Sequence, residues 1–411
     1  MPRPPLSPEQ LVKPRHFEAR IALIFAVLFV SLGINLPYFP LWLEANGFGA
    51  EQISVILAAP MFLRVVTTPL VTTYADRAKD RVNVLIVLVA ASIALSCGYF
   101  LPPTYWGVVM ISLLMAVVWA PHSPLTDSLA LSGVRRFGSN YTRMRIWGSI
   151  AFLCANFVGG LILAWTSPQA VPVIITISLA FGFVTVLFAP RLGKPRQASP
   201  LSVEDLHEAP KLLSRHFVLI IAGAGLINGS HGFMYGFASI YWKSIGLGDA
   251  LIGFLWAFAV VAEVFIFAVF TRVFGHWRAT TLLIASGIAS VLRWIAYPLV
   301  WPAGAGVAGF VVVQGMHSLS TALLLIALQK TIAETVPEDR TGAAQGAVYF
   351  ANGIAMAAVT LASGPLYARF GVYGFLAMTA VAALGTVLVT IAGRVSPTAP
   401  VRAARRASPD R

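Results

Sequence analysis

The residues able to do chemistry in this chain lie within long apolar runs. Arg64, Asp127, Arg145, Glu263 and Arg293 interrupt such runs, and His122, His231 and His317 fall near the middle of three runs, the first of which also holds Asp127. An ionisable group held in hydrocarbon costs roughly 2.5–3.5 kcal/mol on insertion scales, so it must pair or line water. Asp127 and Arg145 lie near facing ends of adjacent runs, which suits a salt bridge. That bridge is either a fixed tie or a pair that parts to hold another group. Glu263 is flanked by valine, alanine and phenylalanine. Desolvation favours its neutral acid and a nearby guanidinium favours its carboxylate. A carboxyl moving between those surroundings loads and releases a proton, whereas a permanent Glu263–Arg293 pair does not. His317 can relay a proton, bind a ligand, or act as a plain hydrogen-bonding tie. His122, between Pro121 and Pro124, fits a hinge as well as a ligand.

Polar and aromatic side chains also recur at helical spacing. The stripes are Ser31, Asn35, Tyr38 and Trp42; Trp119, Ser123 and Asp127; Asn228, His231 and Tyr235; Gln314, His317 and Thr321; and Gln345, Tyr349 and Asn352. Such stripes line a wet cavity or tie helices together. Cys97 and Cys154 both fall in apolar segments and read as free thiols. No metal-ligand spacing occurs, and no cofactor is expected beyond a proton as coupling ion.

The elements that must position these residues are membrane helices. The 411 residues are 58% hydrophobic and 11% charged, against about 25% charged in an average soluble domain, and mean hydropathy is +0.79. Runs of about 20 apolar residues, enough to cross the hydrocarbon, predict spans near 18–43, 50–74, 82–101, 105–131, 143–165, 168–190, 216–243, 250–272, 279–300, 303–330, 342–367 and 371–394. The expected layout is a cytoplasmic arm over 1–17, a six-helix bundle over 18–190, a polar linker over 191–215, a second six-helix bundle over 216–394, and a basic tail over 395–411. The first twenty residues are polar and proline-rich, and the first apolar run is too long for a cleaved signal, so it is expected to remain as an anchor.

Charge sets the orientation. With the N-terminus inside, only Lys243 and Arg369 fall in outside loops. Arg64, Arg145 and Arg293 lie within spans, and the other 24 of the 29 basic residues face the cytoplasm. Both termini are therefore expected there. The net charge of +13 then needs no nucleic acid, and the bilayer and a small solute are the expected partners.

The two halves resemble each other. Gly47, Gly49 and Ile53 match Gly246, Gly248 and Ile252 at one offset of 199, and the same offset carries Arg64 onto Glu263. Parallel six-helix repeats are the architecture of major facilitator transporters. The loop Thr72-Thr-Tyr-Ala-Asp76-Arg77-Ala-Lys-Asp-Arg81 resembles that superfamily's cytoplasmic signature, with Thr72 in place of the usual glycine and Asp80 within the basic run. Asp76 and Arg77 are the expected gating residues, Asp76 capping a helix or pairing with basic neighbours.

Further segments carry a closer resemblance: Pro124-Leu-Thr-Asp127, Arg145-Ile-Trp147-Gly148, His231-Gly-Phe-Met-Tyr235-Gly236, Val261-Ala-Glu263, Leu292-Arg293-Trp294 and Gln314-Gly-Met-His317. They are similar to the lactose-permease-like branch of the major facilitator superfamily, and within it to the bacterial 3-phenylpropionate permeases. The resemblance implies an all-α membrane protein of twelve transmembrane helices in two pseudo-symmetric six-helix bundles. It implies a monomer in the bacterial cytoplasmic (inner) membrane. It places Asp127 and Arg145 at a solute site, and Glu263, Arg293 and His317 in binding and proton coupling. The sugar permeases carry a second acid one turn after that histidine; Thr321 and Ala322 to Leu325 supply none here, which leaves Glu263 or Asp127 as the proton carrier.

The function these readings imply is secondary transport, not catalysis: proton-coupled uptake of a small organic solute, such as an aromatic carboxylate. Proton coupling falls to Glu263, His317 and Asp127. Solute contacts fall to Arg64, Arg293, Arg145, His231, Asn35, Tyr38, Trp119, Tyr235, Gln314 and Tyr349. More intramembrane arginines than acids favour an anion. Sugar or nucleoside symport is the alternative, and efflux is weakened by Ala155-Asn156 where exporters carry Gly-Pro.

Overall fold

Lipid offers no hydrogen bonds, so each apolar run must satisfy its own backbone, and a helix does this within one segment. In the computed structural model, residues 12–193, 214–336 and 341–395 are described. The arm before residue 12, the linker over 194–213 and the tail after 395 lie outside them. The membrane helices are α1 (Phe17–Ala45), α2 (Ala50–Arg77), α3 (Arg81–Ser96), α4 (Tyr105–Trp119), α5 (His122–Phe137), α6 (Tyr141–Trp165) and α7 (Val171–Leu187). They continue as α8 (Arg215–Gly229), α9 (Gly232–Ser244), α10 (Asp249–Val273), α11 (Ala279–Ala296), α12 (Gly306–Thr335), α13 (Thr341–Phe370) and α14 (Phe375–Arg394).

Two spans are broken. The fourth is α4 followed by α5, parted at Ala120–Pro121, where proline lacks the N–H the helix needs. The seventh is α8 followed by α9, parted at Ser230–His231 between Gly229 and Gly232. The last apolar stretch, Ala343–Arg394, has 52 residues. As one helix it would run about 78 Å, far beyond the roughly 30 Å hydrocarbon core. It folds back at Gly371, which takes a left-handed φ of 53°, and so supplies two spans. The described residues thus form twelve crossings, the expected all-α fold.

Contacts divide the chain into two compact units: Met1–Leu201 with Tyr235–Ala257, and Ser202–Met234 with Phe258–Arg411. Inside the first, α1 packs on α6 and α7, α3 on α4 and α7, and α2 on α4. Inside the second, α8 packs on α13 and α14, and α11 on α12 and α14. The pairings of spans 1–5, 1–6, 3–6 and 3–4 recur as 7–11, 7–12, 9–12 and 9–10, so the pseudo-symmetry is one of packing as well as sequence.

The matched glycines have a physical cause. Gly47 and Gly246 sit at φ 82° and 87°, just past α1 and α9. Each N–H bonds three residues back, to Glu44 O at 2.9 Å and Lys243 O at 3.0 Å. The following amides of Phe48 and Leu247 bond five back, to Leu43 O at 3.2 Å and Trp242 O at 2.9 Å. Both turns are the same Schellman cap, which needs a residue free to adopt the left-handed conformation.

Polar caps open other helices. Asp80 Oδ1 accepts from the Val82 amide at 2.9 Å, and Asn140 Oδ1 from Arg143 at 3.0 Å. The acid that caps α3 is therefore Asp80, not Asp76. Cys97 and Cys154 are free thiols, both exposed on the protein surface.

Candidate functional site

The second unit holds a buried polar cluster around Arg293. This arginine lies on α11 with none of its surface exposed. Its Nε donates to Val313 O at 2.9 Å and its Nη2 to Gln314 Oε1 at 2.7 Å. Nη1 lies 2.9 Å from His317 Nδ1, and Nη2 lies 3.0 Å from Met234 Sδ. The Trp294 ring stacks on the guanidinium at 4.6 Å. A guanidinium only donates, so His317 Nδ1 must accept, which makes the imidazole neutral with its proton on Nε2.

The elements explain this placement. Gln314 and His317 are three residues apart and share one face of α12. Ser286 on α11 donates to Ser320 O of α12 at 2.7 Å, clamping the two helices. His231 sits in the break of the seventh span, where carbonyls of α8 lose their helical partners. Its Nδ1 lies 3.2 Å from both Ile227 O and Asn228 O, so that nitrogen carries the proton. Nε2 lies 3.0 Å from Ser320 Oγ, whose hydroxyl donates to the His317 carbonyl at 2.9 Å. The His231 ring meets the rings of Trp294 and His317 edge-on at 5.0 and 5.5 Å. Trp294 is fixed in turn by donating to Ser230 Oγ at 2.8 Å. The result is a cation held in a cage of aromatic, imidazole, amide and thioether groups.

Residues 19–377 match the MFS_1 like family. The chain belongs to this family. It is 27% identical over 368 residues to the probable 3-phenylpropionic acid transporter of Escherichia coli, covering 89% of this chain and 95% of that protein. It is 26% identical over 284 residues to the maltose permease of Geobacillus stearothermophilus, covering 68% and 71%. Its fold is similar to that of the nucleoside transporter NupG, with a TM-score of 0.76 at 13% identity over 92% of this chain and 100% of that one. As a member of the MFS_1 like family it is a multi-pass secondary transporter of a small molecule, not an enzyme.

In this family member, Arg293, Gln314, His317 and His231 come together. Glu263 does not join them: it is half-buried on α10 and makes no ion pair or hydrogen bond among the described residues. The Glu263–Arg293 bridge weighed from the sequence is thus not formed in this conformation.

Asp127 on α5 and Arg145 on α6 do meet, with Arg145 Nε 3.9 Å from Asp127 Oδ1. The same carboxylate oxygen accepts from Tyr141 Oη at 2.8 Å, and the guanidinium lies over the Phe29 ring at 4.2 Å. Tyr38 is fully buried and donates to the Asn156 carbonyl of α6. There α6 and α10 cross closely: a Cβ on Gly160 would lie 2.5 Å from Asp249 O, and one on Gly253 would lie 2.6 Å from Asn156 O.

The remaining expected residues are dispersed. Arg64 on α2, Asn35 on α1 and Trp119 at the end of α4 are half-buried. Tyr235 stacks on Trp256 at 6.0 Å within the first unit. Tyr349 is exposed on α13. Of the gating residues, Asp76 pairs with Arg81 at 2.6 Å, and Arg77 is exposed at the end of α2. His122 is buried beside Ser92, with Nε2 3.3 Å from its hydroxyl. No cluster of metal-ligating residues occurs among those described.

Met234, Trp294, Ser230 and Ser320 were not among the expected site residues. Met234 and Trp294 lay in segments singled out for other residues, yet a thioether and an indole carry no tag that separates a site lining from ordinary packing.

Proposed function

We propose that the chain takes up an aromatic carboxylate such as 3-phenylpropionate with a proton, by alternating access, as a monomer in the bacterial cytoplasmic membrane with both termini inside. The observation that carries this reading is the Arg293 cage. A planar guanidinium recognises a carboxylate through paired hydrogen bonds, and the rings of Trp294, His231 and His317 lie beside it to receive an arene. The likeness to the 3-phenylpropionic acid transporter supports the same substrate class.

Coupling follows from the bond between Arg293 and His317. His317 Nδ1 accepts from the guanidinium only while it lacks a proton. A proton arriving there removes the acceptor and releases Arg293 toward an incoming anion. Glu263, half-buried and uncommitted in this conformation, is the acid that exchanges the proton.

The test is uptake of labelled 3-phenylpropionate into vesicles containing the purified protein. The expected result is accumulation driven by an inward proton gradient and abolished by a protonophore. Glu263→Gln is expected to stop accumulation while sparing counterflow exchange. Uptake no faster than in empty vesicles would refute the substrate. Protonophore-insensitive accumulation, undiminished in Glu263→Gln, would refute the coupling. Because a maltose permease is among the relatives, counterflow with a sugar and a nucleoside alongside decides against the alternative solutes.

A further inference from the structure

A groove runs between α11 and α14 on the surface of the second unit, enclosing about 440 Å³. That lies within the roughly 300–1,000 Å³ of ordinary ligand sites. Its walls are apolar: Ile288, Leu292, Val387 and Ile391 are 50%, 53%, 53% and 41% exposed. Small side chains make the furrow. Ala383, Thr386 and Thr390 line α14 where larger residues would close it.

Two contacts frame the groove. A Cβ on Gly287 would lie 2.0 Å from Thr386 Oγ1, and one on Gly393 would lie 4.0 Å from Thr280. The helices therefore touch near the middle and again at the end where α14 finishes. The threonines make no demand on an occupant, because Thr386 donates to Ala382 O at 2.7 Å and Thr390 to Thr386 O at 2.8 Å. The trough is thus hydrocarbon in character along its length.

One lining residue differs. Arg394, the last residue of α14, lies at the end of the groove and is exposed. An apolar trough that ends in a guanidinium at the terminus of a membrane helix has the shape and charge of an anionic amphiphile, reversed. Arginine binds phosphate through two parallel hydrogen bonds where lysine offers a point charge. Basic pockets between membrane helices attract anionic lipid head groups. The groove is separate from the buried cluster: Leu292 opens into the groove while its neighbour Arg293 is fully buried.

We propose that this groove is a binding site for one anionic glycerophospholipid, its acyl chain between α11 and α14 and its phosphate on Arg394. The lipid braces the helix that carries Arg293 from its outer side. This assignment does not depend on the transported solute.

The experiment uses the full chain in nanodiscs of phosphatidylcholine containing phosphatidylglycerol with a diazirine on its acyl chain. After irradiation, adducts are mapped by peptide mass spectrometry. Adducts are expected to concentrate on 288–292 and 383–391. Arg394→Gln is expected to lower their yield about fivefold, with Arg394→Lys intermediate. Ala383→Phe, which fills the trough, is expected to remove them while labelling elsewhere persists. The same diazirine chain on phosphatidylcholine is expected to label the groove only at background. Equal labelling by the two lipids, adducts spread evenly over all lipid-facing helices, or an unchanged yield in Arg394→Gln would overturn the proposal. Arg394 is exposed at a helix end, so its replacement tests binding without disturbing the fold.

Discussion

Arg293 serves three acceptors on α12 at once, each from a different nitrogen of its planar fork. Lysine at this position would gather its donors on one compact nitrogen, which cannot span the separated Gln314 Oε1 and His317 Nδ1 as the planar fork does. A buried group left unsatisfied costs about 1–3 kcal/mol. Arg293→Lys is therefore expected to lower the thermal midpoint in detergent and to raise the KM for uptake at least tenfold. A milder effect is expected at the half-buried Asp127–Arg145 pair. Tyr141→Phe removes the 2.8 Å hydrogen bond to a carboxylate that solvent already reaches. Its destabilisation is expected to stay below about 1 kcal/mol, read as a small shift in the same melt. The residue types at both clusters were legible in the sequence because a charge in an apolar run must be explained. Glu263 shows the limit of that reasoning. The sequence says that an acid in hydrocarbon needs a partner or water, not which of these a given conformation provides.

Helix boundaries and breaks were partly legible for the same kind of reason. Pro121 announces the interruption of the fourth span, and the Gly47 and Gly246 turns announced the repeat. The break at Ser230–His231 was not expected, because two glycines in a membrane run more often serve close packing. Close packing does occur where α6 crosses α10, and no spacing rule pairs Gly160 with Gly253 across more than ninety positions of chain. A methyl on Gly160 would meet the Asp249 carbonyl at 2.5 Å, forcing the helices apart. Overpacking of this kind costs about 1–3 kcal/mol. Gly160→Ala is expected to reduce stability by that order, whereas Gly248→Ala, with nothing within 4 Å of its added Cβ, is expected to be neutral in the same thermal assay.

At the scale of the whole molecule, twelve crossings were readable from hydropathy and the likeness of the two halves from one offset of 199; the span pairings that recur between them were not. Where compactness divides the chain was not. The piece Tyr235–Ala257 groups with the first 201 residues, and the close approach of backbones far apart in sequence, invisible to hydropathy, decides that grouping. An even number of crossings would leave both ends on one side, and the bias of Lys and Arg read from the sequence makes the cytoplasm the expected side. A green fluorescent protein fused to the C-terminus is expected to fluoresce, and alkaline phosphatase at the same point to be inactive; the reverse pair of results would invert the topology.

The chain has two thiols, and both are free and open on its surface. Neither takes part in the Arg293 cluster or the Asp127–Arg145 pair. Two replacements, Cys97→Ser and Cys154→Ser, therefore give a background blank to maleimides. Spin labels placed pairwise on that background turn every helix end of this transporter into an addressable ruler, and its working cycle into a set of measurable distances.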